Sequence, residues 1–444
     1  MHCFDRGTTC PAVLTVGAAA GSGCRRLVRA GLAAAAASLL AVVGIGFAAG
    51  AAQASTFPGT NGVIAYSAEV ATEPTNSGSA FEIVSKTSGA ATEYRCTVNQ
   101  LTDVQPKFSQ DGKIVAWLQN GNVVTTKLSV STAAPTTWDC PYNLDGSPRP
   151  GATVSATNPV TSNALDSWLG GFSRWEYPAG TADDTHALRK AWLFFSRRVA
   201  AVGTTPANFE VFKAQVDKDG VVVAGTLANV TNHAVDPLPA SQTTGITDSQ
   251  PTLCTEGATR KLAWTSTRTG GSGLADIWEQ TLDASYNPTG AAVPRSENTA
   301  KEESAAAYKP TASDNCATIA FQTDRTTALT PGSPRNLDIF RTDGGGVKRL
   351  TWNDPTLAAN GGLLDLTGYD VTPQWSPDAS RICFHSGRAK TPPEWQLTAG
   401  LAVLGQWEVY TVDAVDGEGP GGSAAQRETT REYNDERCGW QEAP

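Results

Sequence analysis

The chain has 444 residues, with 34 Lys and Arg against 43 Asp and Glu, a formal net charge of −9. Such a balance excludes a protein built to neutralise nucleic-acid phosphates, which needs basic surface. Past the first 54 residues no stretch resembles a membrane span.

Arg25, Arg26 and Arg29 precede an Ala-rich apolar run from Ala30 to Ala52, and Ala52-Gln53-Ala54 is a small-residue cleavage site. Residues 1–54 therefore read as a secretory signal peptide cut before Ser55, the alternative being an uncleaved anchor, since the run is long enough to span a bilayer. Without the leader, 30 basic and 42 acidic side chains remain, a net of −12.

From Phe57 to the end, one grammar repeats, and repeats of this kind decide a fold before other signals do. Its opening element, Asp-x-x-Pro-x-aromatic at its fullest, occurs at Asp103–Phe108, Asp248–Leu253, Asp370–Trp375 and Asp435–Trp440, with weaker copies at Asp166-Ser-Trp168 and Tyr308-Lys-Pro310. A turn cluster such as Ser376–Ser380 leads into an apolar strand ending in apolar-x-Ser/Thr-x-Arg: Phe194–Arg198, Trp264–Arg268, Phe321–Arg325 and Phe384–Arg388. A third strand carries an acid and an aliphatic, usually with an aromatic: Glu82-Ile-Val84, Glu210-Val-Phe212, Asp276-Ile-Trp278, Asp338-Ile-Phe340 and Glu408-Val-Tyr410, with only Asn122-Val-Val124 in the second unit.

The mean period of about 65 residues, longer than usual for blade repeats, places the excess in loops. Four strands per unit cannot bury both faces alone, and radial stacking hides them, which predicts an all-β propeller. The first unit begins at its second strand (Gly62–Tyr66), and Tyr433–Pro444 supplies the missing opening element. The C-terminal strand is thus expected to complete the N-terminal blade and close a six-bladed ring non-covalently, residues 55–444 forming one domain.

The sequence Asp-x-x-Pro-x-Trp-Ser-Pro-Asp, followed by Ser-x-Arg, Asp/Glu-Ile-aromatic and Leu-Thr (Leu101-Thr102, Leu350-Thr351), resembles the repeats of TolB-like six-bladed propellers over residues 57–444. The resemblance implies the fold. The family's namesake carries an α/β domain ahead of its propeller and works with an outer-membrane lipoprotein, and this chain leaves no room for that domain.

Six cysteines follow the leader: Cys96, Cys140, Cys254, Cys316, Cys383 and Cys438. An even count in an exported chain permits disulfides. Cys96 with Cys140 and Cys254 with Cys316 fall in neighbouring blades and are the expected pairs, while Cys383, between Ile382 and Phe384, reads as a small buried apolar residue.

Arg198, Arg268, Arg325 and Arg388 at the end of strand two are expected to pair with Glu210, Asp276, Asp338 and Glu408 on strand three, a structural role that pins register. The strand-one acids Asp103, Asp248, Asp370 and Asp435 either cap their own turns or converge at the channel mouth, where their repulsion would favour a bound Ca2+. His385 faces the channel or is an ordinary variant of a position held elsewhere by Phe195, Thr265 and Gln322. Trp168 and Trp175, which do not fit the repeat cleanly, either stack on a sugar or partner or pack between blades.

No Gly-x-Ser-x-Gly, His-Glu-x-x-His, P-loop, Rossmann fingerprint or Cys-x-x-Cys occurs. The expectation is an exported, monomeric, non-catalytic propeller without a metal centre, binding or scaffolding an envelope or extracellular protein. The alternative is a carbohydrate-active enzyme or glycan-binding propeller using channel carboxylates, which needs two carboxyls about 5 to 9 Å apart.

Overall fold

The computed structural model describes residues 53–54, 61–70, 80–99, 101–130, 138–153, 155–178, 187–199, 208–231, 246–268, 274–296, 301–311, 313–325, 337–343, 346–352, 369–387, 407–418, 423–429 and 435–442. The readings of residues 1–52 and of Arg388 lie outside these. No described helix is long and apolar enough to cross a membrane.

Six antiparallel sheets of four strands follow one another as the blades of a propeller. Blades two to six start, in chain order, from the inner strands Asp103–Phe108, Asp166–Phe172, Asp248–Glu256, Glu303–Tyr308 and Asp370–Trp375. Their second strands are Ile114–Gln119, Lys190–Val199, Thr259–Ser266, Ile319–Thr323 and Arg381–Ser386, each paired outward with a third and fourth strand. Blade one takes its inner strand, Asp435–Glu442, from the C-terminus, laid against Asn61–Val70 with Ala65 opposite Gly439. Gln53–Ala54 pairs with Thr255 and Cys254 on the inner strand of blade four, so the last two residues of the expected leader lie there. Tyr308-Lys-Pro310 does not open blade five. Its inner strand runs over Glu303–Tyr308, and the opening acid is Glu303.

Alternation along the strands builds the core, because successive side chains point to opposite faces of a sheet. On the second strand of blade one, Ala65 joins Trp117 and Phe108 of blade two, while its neighbours Ile64 and Tyr66 join Cys383 and Val409 of blade six. The same arrangement recurs at every junction, giving six apolar clusters for six blade interfaces. Burial is therefore shared between neighbours, and no blade is a self-sufficient core.

Disulfides reinforce three of these junctions. Cys96–Cys140 joins blades one and two, and Cys254–Cys316 joins blades four and five, with Cα separations of 4.2 and 5.9 Å. Cys383 is buried, but it is also bonded to Cys438 across the blade six to blade one junction, at a Cα separation of 6.4 Å. It is thus more than an apolar filler, because Cys438 arrives on the closing strand.

One hydroxyl recurs in all six blades at the end of the fourth strand. Thr97, Thr161, Thr231, Ser296, Thr351 and Thr429 each accept the backbone N–H of a third-strand residue, from Ile83 in blade one to Val409 in blade six. Leu350-Thr351 holds that place in blade five, whereas in blade one Cys96-Thr97 does so rather than Leu101-Thr102.

Candidate functional site

The inner strands carry a shared irregularity. Two residues after the opening acid in five of the six blades, Gln105, Gln250, Ala305, Thr372 and Arg437 adopt positive φ values between 52° and 63°. Register shifts at these points mark β-bulges. A bulge re-aims side chains, and these residues line a central tunnel to which all six inner strands contribute. Its free volume of about 50 Å³ is room for roughly three or four waters or one small ligand group.

Side chains from the second strands hold the bulges in place across blade junctions. Ser67 Oγ accepts the N–H of Gln105 at 3.0 Å, Thr265 Oγ1 that of Ala305 at 3.1 Å, Gln322 Oε1 that of Thr372 at 2.8 Å, and His385 Nδ1 that of Arg437 at 3.3 Å. His385 is therefore one of a set of bulge acceptors. It lies buried behind the lining, with Thr372 Oγ1 2.6 Å from Nδ1 and Trp407 edge-on at 5.0 Å between ring centroids. Burial, with the Arg437 charge adding to it, lowers its pKa to about 3. Blade two has Leu118 where the acceptor would be, and Gln105 substitutes by accepting the N–H of Leu169 through Oε1 and donating to the Ser167 carbonyl through Nε2.

The strand-one acids Asp103, Asp248, Asp370 and Asp435 are fully buried and are not part of the tunnel lining. Buried charge needs a partner. Asp248 accepts from Arg268 at 2.8 Å and from Ser266, Asp370 from Ser386, and Asp103 from the carboxamides of Asn99 and Gln119. Burial outweighs those two hydrogen bonds and raises the Asp103 pKa. The opening acids of blades five and three behave alike, Glu303 bonding Arg325 and Asp166 bonding Arg197 at 2.7 Å.

Arg268 and Arg325 at the end of strand two therefore reach inward to strand one, and in blade three Arg197 does so, with Arg198 exposed. The strand-three acids reach outward instead: Asp338 pairs with Arg349 at 2.8 Å, Glu408 with Arg427 at 2.5 Å and Thr429, and Glu210 bonds Asn229. Asp276 is fully buried on the same strand of blade four. Glu82 of blade one, beside Thr97 and the Asn99 N–H, has its pKa raised to about 7 by burial.

Trp168 lines the tunnel and lies under the Arg437 guanidinium, 5.0 Å from its centroid. Trp175 does not. It is buried in the apolar cluster between blades two and three, covered by Arg189 at 4.4 Å. Among the described residues, the one grouping of metal-type ligands is Cys254, Glu256 and Cys316, and the disulfide between the two cysteines removes their thiolates.

What faces the tunnel is cationic and amidic. Lys107 from blade two and Arg437 from blade one line it together with Gln250 and Gln374, and among the described lining residues there is no carboxylate. Calcium coordination is built from oxygen ligands rich in carboxylate, so this lining has the opposite character. Sequence reading missed Lys107, Gln250, Gln374 and Arg437. The signal lay in the repeat itself, at the second and fourth positions after the opening acid.

No protein-family model matches the sequence, and no curated protein matches it. The fold is similar to solved TolB structures. That from Acinetobacter baumannii is 12% identical, with 86% of this chain and 67% of that one covered at a TM-score of 0.48. A putative TolB from Agrobacterium tumefaciens is 12% identical, with 86% and 90% covered and a TM-score of 0.39. Oligogalacturonate lyase from Vibrio parahaemolyticus is 10% identical, with 85% and 84% covered and a TM-score of 0.34. The likeness is one of fold.

Proposed function

We propose that the protein is an exported, non-catalytic propeller that binds a protein partner at the mouth of its central tunnel. The observation that carries the reading is the division of labour among polar groups. The buried acids serve the blades, each of Asp103, Asp248 and Asp370 being engaged by neighbours of its own blade. The tunnel receives donors instead, from Lys107, Arg437, Gln250 and Gln374. General acid and base catalysis on a glycoside requires two carboxyls facing one bond, and the described lining favours recognition over that chemistry. The leader-like residues 1–54 and the three disulfides support export to an oxidising compartment.

The test is affinity capture from a cross-linked envelope extract, with wild-type bait and a Trp168→Ala variant. One partner recovered near stoichiometry by the wild type and lost by the variant is the expected result. The variant alters the lining without touching the buried acids, so the blades stay intact. Equal recovery by both baits would place the contact elsewhere and refute the reading.

A further inference from the structure

The tunnel is the feature whose chemistry is least explained by folding. Its lining is assembled from six blades, yet several of its polar atoms take no part in holding the blades together. Lys107 is partly buried, and no hydrogen bond or ion pair engages its ammonium group among the described residues. Gln374 is in the same position, and Gln250 uses only its oxygen, which accepts from Thr265 Oγ1 at 2.7 Å and the Ala305 N–H at 2.9 Å. Arg437 stands over Trp168, with Glu436 3.8 Å away from its Nε. The narrow passage therefore presents one ammonium without a counter-ion, one guanidinium with a distant one, and two carboxamides with donors to spare.

An enclosed cation without a counter-ion is costly, because the lost hydration is not replaced. Folding gives no reason to keep it. An apolar residue would fill the same wall, as Ala305 and Leu169 do elsewhere in the lining. An incoming anion supplies the missing partner, and charge-assisted hydrogen bonds from ammonium and amide groups are the strong kind.

We propose that the tunnel is an oxyanion site, centred on Lys107 and flanked by Gln250, Gln374 and Arg437, which receives a carboxylate presented by the partner protein. This rests on the reading of the tunnel mouth as a protein-binding surface and adds the chemical class of the group recognised. A carboxylate suits the site in charge and size. It matches one ammonium with one negative charge, and the free volume of about 50 Å³ admits a group of a few heavy atoms. Burial lowers the Lys107 pKa to about 7, which marks the amine as one whose charge the empty tunnel does not stabilise. An acidic side chain or a chain terminus entering from the mouth brings the charge the tunnel lacks.

Two measurements on the full-length protein test this. In the first, melting temperature is followed in sodium acetate, in inorganic phosphate and in chloride at matched ionic strength, for the wild type and for Lys107→Gln. A rise of about 3 °C in acetate over chloride, absent in the variant, is expected. A rise in phosphate alone would make the ligand a phosphoryl group and overturn the carboxylate assignment, and equal melting temperatures in all three salts would overturn the site.

The second needs no variant. Amine acylation of the wild type near neutral pH, mapped by peptide mass spectrometry, should modify Lys107 readily and be slowed several-fold by acetate. Unchanged acylation of Lys107 at saturating acetate would also overturn the site. If partner capture is lost by Trp168→Ala while Lys107 remains unprotected, the oxyanion assignment fails and the protein-binding reading stands. Protection of Lys107 without any captured partner separates the two in the other direction.

Discussion

His385 acts as an acceptor, and that fixes how it answers to pH. Its Nδ1 takes the Arg437 N–H and faces Thr372 Oγ1, so the folded protein holds the ring neutral with a pKa of about 3, against an ordinary value of 6.5. In the unfolded chain the same ring binds a proton below about 6.5. Between these values the unfolded state carries more protons, so stability falls as pH drops from 6.5 towards 3, by at most about 1.4 kcal/mol per pH unit from this one group. Glu82 works against it, since a carboxyl raised to about 7 gives stability that is lost as pH rises from 4.5 to 7. The His385→Gln variant isolates the first effect. Gln322 performs the same task in blade five, so the variant should fold, and its urea-unfolding free energy should decline less steeply than the wild type's between pH 6.5 and 4. An unchanged slope would show that His385 does not titrate in this way. This acceptor role was not legible in the sequence, because Ser67, Thr265, Gln322 and His385 share no residue type and only one function, to offer an electron pair to the next blade.

A second strand has neighbours on both sides, and sequence spacing alone does not say which one its terminal arginine will meet. In blade four Ser266 stands opposite both Asp248 and Asp276. Arg268 turns to Asp248, where its guanidinium makes a 2.8 Å contact, leaving outer-strand residues to serve the strand-three acids, as Arg349 and Arg427 do in blades five and six. The repeat therefore made the blades, their order and their boundaries legible, from Asp103–Phe108 to Asp435–Glu442, but not the direction of the ion pairs. Nor did it show the bulges, since Gln105, Ala305 and Arg437 adopt one backbone conformation with unrelated side chains. Arg268→Ala leaves Asp248 buried without its guanidinium, and losing one partner of a buried pair costs about 3 to 5 kcal/mol. Thr351→Val is milder. It removes the acceptor of the buried Ile339 N–H, and an unsatisfied donor costs about 1 to 3 kcal/mol. Denaturant unfolding should therefore rank Arg268→Ala below Thr351→Val, and Thr351→Val below the wild type. The reverse order would mean that strand register, rather than charge burial, limits blade stability.

Closure of the whole ring depends on the strand Asp435–Glu442, and the disulfides do not replace it. Each bridge spans a local loop, with sequence separations of 44, 62 and 55, so none ties the N-terminal strands of blade one to the C-terminal one. Cys383–Cys438 fastens the closing strand to blade six, from which the chain already arrives, whereas its union with Asn61–Val70 is made by hydrogen bonds and apolar packing. The fit is tight. A Cβ on Gly439 would lie 2.4 Å from the carbonyl oxygen of Pro106 in blade two, so only glycine lets the inner strands of blades one and two approach so closely. Two outcomes follow from this arrangement. Breaking the bridge with Cys383→Ser and Cys438→Ser should cost about 4 kcal/mol from loop entropy but leave a monomeric ring by size-exclusion chromatography. Ending the chain after residue 434 should be worse despite leaving Cys96–Cys140 and Cys254–Cys316 intact. It strips Asn61–Val70 of its inner neighbour, uncovers Ile64, Tyr66 and Val409 at the blade six junction, and creates an open apolar edge of the sort that aggregates. A peptide of residues 435–444 added in trans should bind that edge and restore both solubility and cooperative melting. A truncated chain that stays monomeric with the full-length melting temperature would show that the ring does not need its closing strand.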